Sequence, residues 1–320
     1  ERGKLLFSHI FLLFNFIFLS LISPLMVLLN RDLAFLSCIR FLDRHNLIES
    51  VVITDSNFSL QPLWMREPAN RNFRVHSVHY SQNSKPHVYA HDNVAACLPE
   101  HKHVRVDEHW VWTHGYKSHL QELGHEGSIH VVGPILFYLP PFPGPLPPQS
   151  NEIVIAVFDV TPVHYTKARD LGIINNYYST DHVIQFIDEI VEVCRHVESV
   201  CKGSVRVCLK HKRQFVEGVH DRRYKDHIES LVSQEQIDII DHSTNLYSLL
   251  STSDLSISIP YTSVAYVANE LELDSIYFDP TQELLPSHEP TPYIHFASGA
   301  GELIDTVRRI VKKSPKNVVT

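Results

Sequence analysis

The sequence predicts an α/β protein of two domains, each built on a parallel sheet, and three observations support this. The chain has 320 residues, which is more than one hydrophobic core usually takes. From residue 153 onward, short apolar runs alternate with helical patterns, which is typical of parallel sheets with crossover helices. Ahead of this part, residues 139–148 hold six prolines, which neither a helix nor a central strand accepts.

Residues 1–30 are predicted to form an apolar helix. Residues 5–29 are almost continuously apolar, and this length is enough to cross a bilayer. The polar residues within this stretch do not gather on one face. Three alternatives therefore stay open: a membrane-spanning helix, a helix in the membrane interface, and a helix buried in the first domain. Because the sequence begins with Glu1, we expect part of the first domain to lie upstream.

Residues 31–138 are predicted to form an incomplete N-terminal Rossmann-like domain, to which the acceptor-binding candidates below belong. Its four strands are weaker than those of the second domain, and a helix is expected near residues 116–123. A stiff proline-rich linker at residues 139–150 follows. The predicted strands are residues 51–54, 73–79, 104–110 and 129–132.

Residues 151–320 are predicted to form the second domain, which is Rossmann-like because parallel strands joined by helices take right-handed crossovers. We expect the two Rossmann-like domains to face a cleft, with ligands beyond the carboxyl ends of the strands. The predicted strands are residues 153–158, 205–209, 237–240, 255–259 and 275–278. The predicted helices are residues 181–201, 224–232, 246–250, 263–271 and 302–311.

The composition excludes several classes of protein. A formal charge of −8 argues against a protein that coats nucleic acid by bulk attraction, so any anion must be held by a local site. The 22 histidines are scattered without the spacing of metal ligands, and we predict no metal. Five cysteines in a chain of this length indicate reduced thiols and a cytoplasmic location rather than a disulfide framework.

Two turns of the second domain are candidate phosphate sites. Lys210, His211, Lys212 and Arg213 follow a predicted strand and concentrate positive charge, although a solvated basic turn is the alternative. The second turn offers hydroxyls and backbone N–H groups at a helix start, where the alternative is that a hydroxyl only caps the helix. This turn consists of Pro260, Tyr261, Thr262 and Ser263.

Other polar loops supply further candidates. Asp279 follows a strand and is predicted to meet a ribose or a base edge, although most Asp-Pro sequences are simple turns. In the first domain, polar loops offer carboxylates as a catalytic base or nucleophile, and hydroxyl and amide groups for a sugar acceptor. The catalytic candidates are Asp55, Asp107 and Glu108, and the acceptor-binding candidates are Ser81 and Asn83.

The glycine-rich motifs of P-loop enzymes and dinucleotide enzymes are absent from the sequence. A Gly-x-Ser-x-Gly elbow is absent too. The remaining hypothesis is phosphate-ester recognition by basic and hydroxyl groups in a two-domain cleft, a description that nucleotide-sugar transferases satisfy.

A family resemblance supports this hypothesis. Residues 259–264 (IPYTSV), followed by residues 275–280 (SIYFDP), resemble the signature of bacterial surface-polysaccharide biosynthesis proteins named for a Pro-Phe-Thr-Ser (PFTS) motif. Tyr261 stands where that motif has Phe. The likeness extends over residues 50–310 through four further segments: 61–65 (QPLWM), 79–84 (HYSQNS), 107–112 (DEHWVW) and 132–137 (VGPILF).

The resemblance implies a metal-independent glycosyltransferase of the GT-B type that builds capsule or lipopolysaccharide glycans. The layout of the sequence is also similar to that of sialyltransferase-like and Kdo-transferase-like enzymes. This similarity makes a CMP-linked acidic sugar one candidate donor. Their phosphate-binding positions match His211, Thr262 and Ser263, but Lys212 replaces the proline of the sialyltransferase His-Pro pair.

The partners implied are a nucleotide sugar, rather than a separate cofactor, and a glycan or lipid-linked acceptor. The location implied is the cytoplasm, with the cytoplasmic face of the inner membrane as a further candidate. Two alternatives stay open: a non-catalytic scaffold or glycan-binding protein of polysaccharide assembly, and a sugar epimerase of the same shape.

Overall fold

The computed structural model describes two compact units. Unit 1 comprises Glu1–Lys85 and Cys97–Ile135, and unit 2 comprises Pro86–Ala96 and Leu136–Thr320. Within them the structure describes residues 30–54, 62–65, 71–81, 89–90, 104–135, 152–170, 177–200, 204–286 and 291–313, together with positions 3, 6, 7, 10, 11, 14, 17, 18 and 21.

Unit 1 contains a parallel sheet whose order follows the chain, β1-β2-β3-β4. The strands are β1 (Ser50–Ile53), β2 (Arg74–Val78), β3 (Glu108–Val111) and β4 (Ser128–Val131), and the helices are α1 (Asn30–Arg44), α2 (His114–Glu122) and a short 3-10 turn at Leu63–Met65. The predicted parallel α/β fold is confirmed, and the third strand begins at Glu108 rather than at residue 104.

The core of unit 1 follows from the alternation of side chains along its strands. Val75 of β2 and Val111 of β3 are fully buried, and Met65 and Phe73 pack into the same unit. The hydroxyl of Thr113 begins α2 because it accepts a hydrogen bond from the backbone N–H of Tyr116 at 3.1 Å.

Unit 2 contains a parallel sheet with the order β10-β9-β8-β5-β6-β7. Its strands are β5 (Ile153–Phe158), β6 (Val205–Lys210), β7 (Asp238–Ile240), β8 (Leu255–Ser258), β9 (Ser275–Asp279) and β10 (Ile294–Ser298). Its helices are α3 (Tyr165–Asp170), α4 (Thr180–Val200), α5 (Arg222–Ser233), α6 (Leu246–Ser251), α7 (Ser263–Glu270) and α8 (Gly299–Lys313).

The middle of this second sheet is its most deeply buried part. All six residues of β5 are buried, since helices cover both faces of a parallel sheet. β5 pairs with β6 on one side and with β8 on the other, so the direction of strand order reverses between β5 and β8. In open α/β sheets, ligands bind beyond the carboxyl ends of the strands at such a reversal.

Residues 89–90 belong to unit 2 rather than to the domain that precedes them in the sequence. Tyr89 forms an antiparallel bridge with Leu284, and the backbone N–H of Ala90 donates to the carbonyl of Glu283 at 2.7 Å. This short pairing ties a segment between β2 and β3 to the end of β9.

The described positions between residues 3 and 21 are helical, and their apolar side chains are exposed. Exposure reaches 70% for Phe7 and 81% for Leu21. Within the described residues, no helix has both the length and the apolar character needed to cross a membrane.

A cluster of buried histidines lies in unit 1. Nε2 of His79 lies 3.3 Å from Nδ1 of His109, and both residues are fully buried. The ring of His125 packs on that of His109 with centroids 4.9 Å apart. Burial, and then the neighbouring imidazoles of His79 and His125, lower the pKa of His109 to about 2.

This cluster predicts that acid destabilises unit 1. Folded His109 excludes a proton that the unfolded chain binds with a pKa near 6.5, so its stabilising contribution is present above that pH and is lost as pH falls. Between pH 7 and pH 5 the loss is about 2 kcal/mol from this residue. Urea unfolding at the two pH values measures it.

His109→Phe is the matched variant because it fills similar space without titrating. We expect its unfolding free energy to depend less on pH than that of the natural chain. An unchanged pH dependence would contradict the role of His109.

Candidate functional site

A buried carboxylate, Asp159, lies directly after β5, and its side chain is fully shielded from solvent. Oδ2 accepts from Nδ1 of His211 at 2.9 Å, and Oδ1 accepts from the backbone N–H of Lys212 at 3.1 Å. The hydroxyl of Tyr224, in α5, also donates to Oδ2 and lies 3.1 Å from Nδ1 of His211. One carboxylate thus joins the end of β5, the turn after β6 and helix α5.

These contacts fix the orientation of His211. Nδ1 of the imidazole carries its hydrogen toward Asp159, and this leaves Nε2 on the other side of the ring for a ligand. Burial, and then the negative charge of Asp159, raise the pKa of Tyr224 well above its ordinary value. Tyr224 therefore stays protonated and acts as a hydrogen-bond donor.

The cations of the β6 turn have lost part of their hydration. Desolvation lowers the pKa of both Lys210 and Lys212, and the nearby Arg213 lowers that of Lys212 further. Nζ of Lys210 donates to the carbonyl of His242 at 2.8 Å, which directs it toward the loop after β7. The carbonyl of Arg213 accepts from the hydroxyl of Thr161 at 3.4 Å. A bound anion would offset the hydration that these cations have lost.

The turn after β8 has a strained backbone. Pro260 is buried, and Tyr261 has a φ of +64°, a left-handed conformation that a bulky residue rarely adopts. The hydroxyl of Tyr261 donates to the carbonyl of Leu285. A Phe, which the PFTS motif has at this position, would not make that bond.

Thr262 precedes α7, but its hydroxyl does not cap the helix. It donates to the carbonyl of Ile259 at 3.0 Å, and the carbonyl of Thr262 accepts from the hydroxyl of Tyr277 at 2.7 Å. Ser263 is the first residue of α7. The alternative in which Thr262 serves only as a helix cap does not describe this turn.

The two candidate phosphate turns lie at the same edge of the sheet. β6 and β8 are the two neighbours of β5, so the turns flank Asp159 on either side. Two strand spacings separate them, a distance of roughly 10 Å.

Asp279, the third candidate on this edge, is fully buried, and its carboxylate accepts hydrogen bonds from neighbouring residues. Oδ1 accepts from the hydroxyl of Tyr177 at 3.1 Å and from that of Thr281 at 2.7 Å, and Oδ2 accepts from the N–H of Leu284 at 2.8 Å. These bonds organise the turn after β9. A nucleotide-binding role for Asp279 stays a prediction.

The two described carboxylates predicted for catalysis lie at the amino end of β3, opposite to the carboxyl ends of the strands. Asp107 pairs with Arg71 at 2.8 Å and accepts from the N–H of Val75 at 2.6 Å. Glu108 contacts Nδ1 of His76 at 3.1 Å. These contacts join neighbouring strands of unit 1, and a catalytic role for either residue stays a prediction.

The other predicted residues of unit 1 divide between described and undescribed positions. Ser81 follows the carboxyl end of β2 and is buried. Asp55 and Asn83 lie outside the described residues. Among the described residues, no group of three or more His, Cys, Asp or Glu side chains is arranged to hold a metal ion.

Sequence reasoning missed the roles of Asp159 and Tyr224. The position of Asp159 directly after an apolar strand was a usable signal, since ligands of parallel α/β sheets bind beyond the carboxyl ends of the strands. Tyr224 lies inside a helical pattern, where a tyrosine is usually a core residue, and its contact with Asp159 spans 65 residues of sequence.

Two Rossmann-like units built on parallel sheets place the protein in the GT-B glycosyltransferase fold class. The match to a TarM mutant from S. aureus, in complex with fondaparinux, α-GlcNAc-glycerol and UDP, has a TM-score of 0.50 at 12% identity and covers 88% of this chain and 52% of that one. The chain therefore spans about half the length of that structure.

The chain belongs to the family of polysaccharide biosynthesis PFTS motif proteins, whose model matches residues 10–307. Other similar structures are Anabaena Alr3699/HepE in complex with UDP and glucose (TM-score 0.49, 9% identity, covering 93% of this chain and 75% of that one) and an E. coli protein described as trehalose-6-phosphate bound with UDP-2-fluoro glucose (0.47, 12%, 89% and 71%). A search of curated protein sequences gives no match to this chain.

The contacts of Asp159 predict that Asp159→Ala destabilises unit 2. The substitution leaves Tyr224, His211 and the N–H of Lys212 without their acceptor, at an expected cost of about 2–4 kcal/mol in the free energy of unfolding. Denaturant titration measures this cost.

Asp238→Ala is the control, because Asp238 pairs with Arg206 on the surface, with half of its side chain exposed. Its expected cost is below about 1 kcal/mol. Equal costs for the two variants would show that Asp159 does not hold this edge together.

Proposed function

We propose that this protein is a metal-independent glycosyltransferase that moves a sugar from a nucleotide donor to a growing surface polysaccharide or lipopolysaccharide. Unit 2 binds the donor at the carboxyl edge of its sheet. The observation that carries the proposal is the placement of a cationic turn and a helix N-terminus on either side of Asp159.

The chemistry required at this edge is stabilisation of negative charge. When the bond between the sugar and the nucleotide breaks, its electron pair goes to a phosphate oxygen of the leaving nucleotide. Lys212 and Arg213 supply fixed positive charge, and the first N–H groups of α7 add the positive end of the helix dipole. Fixed cations of this kind do the work that a metal ion does in other transferases.

His211 contributes a third contact to the phosphate. Because Asp159 and Tyr224 fix Nδ1, the ring presents Nε2 at a constant orientation. Asp159 is a positioning residue in this proposal, since it acts through His211 and not on the donor itself.

We propose candidates for the donor sugar and for the catalytic base that activates the acceptor. A CMP-linked acidic sugar is the donor that the family resemblance suggests. Among the carboxylates of unit 1, we favour Asp55 as the group that activates the acceptor, because it follows the carboxyl end of β1 by two residues in the sequence. Asp107 and Glu108 remain secondary candidates.

Peripheral association with the inner membrane is also part of the proposal. The apolar side chains at described positions between 3 and 21 are exposed at helical spacing, and an exposed apolar helix face favours the boundary of a lipid bilayer. The protein would then meet the acceptor of surface polysaccharide assembly at the cytoplasmic face of the inner membrane.

The proposal predicts that Lys212→Ala and Thr262→Ala weaken nucleotide binding. Loss of a charge-assisted phosphate contact costs about tenfold or more in affinity, and Thr262→Ala disturbs the turn before α7. Calorimetry with CMP, UDP and GDP measures the affinities.

Asp107→Ala is the control for nucleotide binding, and we expect its affinity to stay within about twofold of the natural chain, because Asp107 lies in unit 1 whereas the proposed nucleotide site lies in unit 2. A protein that binds none of the three nucleotides would favour the scaffold alternative over a transferase.

The membrane proposal predicts that replacing Phe7, Phe11 and Phe14 together by Ser reduces binding to vesicles of anionic phospholipid. Flotation of the protein with the vesicles measures the bound fraction. Phe35→Ser in α1, where the side chain is 52% exposed, is the matched control. Equal flotation of the triple variant and the control would refute a role for the N-terminal residues.

A further inference from the structure

A groove of about 380 Å³ lies within unit 2, between α5 and the edge strand β7. It begins at the turn after β6, where His211 and Arg213 form part of its wall, and it extends along one side of α5. Its lining residues are Thr161, His211, Arg213, Phe215, Tyr224, Lys225, Ile228, Glu229, Val232, Ser233 and Ile239.

The lining residues of the groove extend along α5. The residues that α5 contributes run from Tyr224 to Ser233 in pairs one helical turn apart. At the rise of an α-helix, this stripe is roughly 13 Å long. A flat ring would fill one end of such a groove, whereas a flexible chain would fill its length.

The two ends of the groove differ in chemistry. Arg213, His211 and Lys225 lie at the end next to the β6 turn, and Nζ of Lys225 stands 5.3 Å from the ring centroid of Phe215. Ile228, Glu229, Val232 and Ser233 line the part of α5 farther from that turn, and Ile239 of β7 adds an apolar wall.

An acidic group lies partway along the groove, but it is paired. Glu229 is 3.6 Å from Nζ of Lys225, one turn away on the same helix. Val232, two turns after Tyr224 in α5, and Ile239 of β7 are 38% and 41% exposed, so the described part of the chain leaves apolar surface of the groove uncovered.

We propose that this groove binds the hydrocarbon chain of a lipid phosphate, whose anionic head lies against the cationic β6 turn. The cationic end matches a phosphate and the apolar length matches a single alkyl or isoprenoid chain. The inference rests on the proposed function in one respect: the head group occupies the phosphate site assigned there to the nucleotide donor, so the lipid phosphate and the nucleotide exclude each other.

The test compares decyl phosphate with inorganic phosphate on the full chain, by calorimetry below the micelle concentration of the lipid. We expect decyl phosphate to bind at least about tenfold more tightly, because each buried methylene adds to the affinity. Equal affinity for the two probes overturns the proposal.

Val232→Trp is the informative variant, since Val232 is partly exposed and a larger ring has room to fill the apolar end without entering the core. We expect it to remove the preference for decyl phosphate and to leave the affinity for inorganic phosphate unchanged. Val216→Trp is the matched control, at a site 49% exposed and outside the groove lining. Loss of the preference in both variants, or in neither, overturns the proposal.

Two further outcomes separate this inference from the proposed function. If nucleotides bind but decyl phosphate gains nothing over phosphate, the lipid groove is wrong and the donor site stands. If the protein prefers decyl phosphate over phosphate but binds no nucleotide, the groove stands and the transferase proposal fails.

The groove could instead bind a second copy of the chain. Sedimentation would then detect a dimer that Val232→Trp disrupts, with no preference for the lipid, and this result would overturn the proposal.

Discussion

The hydrogen bonds of the Asp159 carboxylate are the interactions on which the carboxyl edge of the unit 2 sheet depends. A carboxylate shielded from water is costly unless hydrogen bonds satisfy it, and Asp159 accepts them from His211, Lys212 and Tyr224. Because these donors come from the β6 turn and from α5, they connect both elements to the end of β5. These hydrogen bonds offset the free-energy cost of burying the charge and define the geometry at the centre of the sheet.

The same edge shows how an acidic chain can offer a positive site. Asp159 and Asp279 both lie at the carboxyl ends of strands, yet their oxygens already accept hydrogen bonds from neighbouring groups. Lys212, Arg213 and the N-terminus of α7 are therefore the groups that we propose for binding an anionic ligand at this edge. The overall charge of −8 does not describe this local surface.

The sequence predicted the strands of unit 2 well because buried parallel strands are continuous apolar runs, as in residues 153–158. It missed β10, whose residues are mostly half-buried, and the six-residue helix α3, which has no apolar stripe. It predicted that each of the two candidate phosphate turns follows a strand, and the structure places them after β6 and β8, while phosphate binding itself stays a prediction. It did not reveal the contact between Asp159 and Tyr224, because pairing across distant elements leaves no periodic signal.

The left-handed backbone of Tyr261 limits which residues can replace it. A glycine would adopt this conformation without strain, but it would lose the packing of the ring against Tyr277 and Phe296 and the hydrogen bond to the carbonyl of Leu285. A phenylalanine, which the PFTS motif has there, would keep the ring and lose only the hydrogen bond. The aromatic ring at this position thus offsets a backbone strain that a smaller L-residue would carry without compensation.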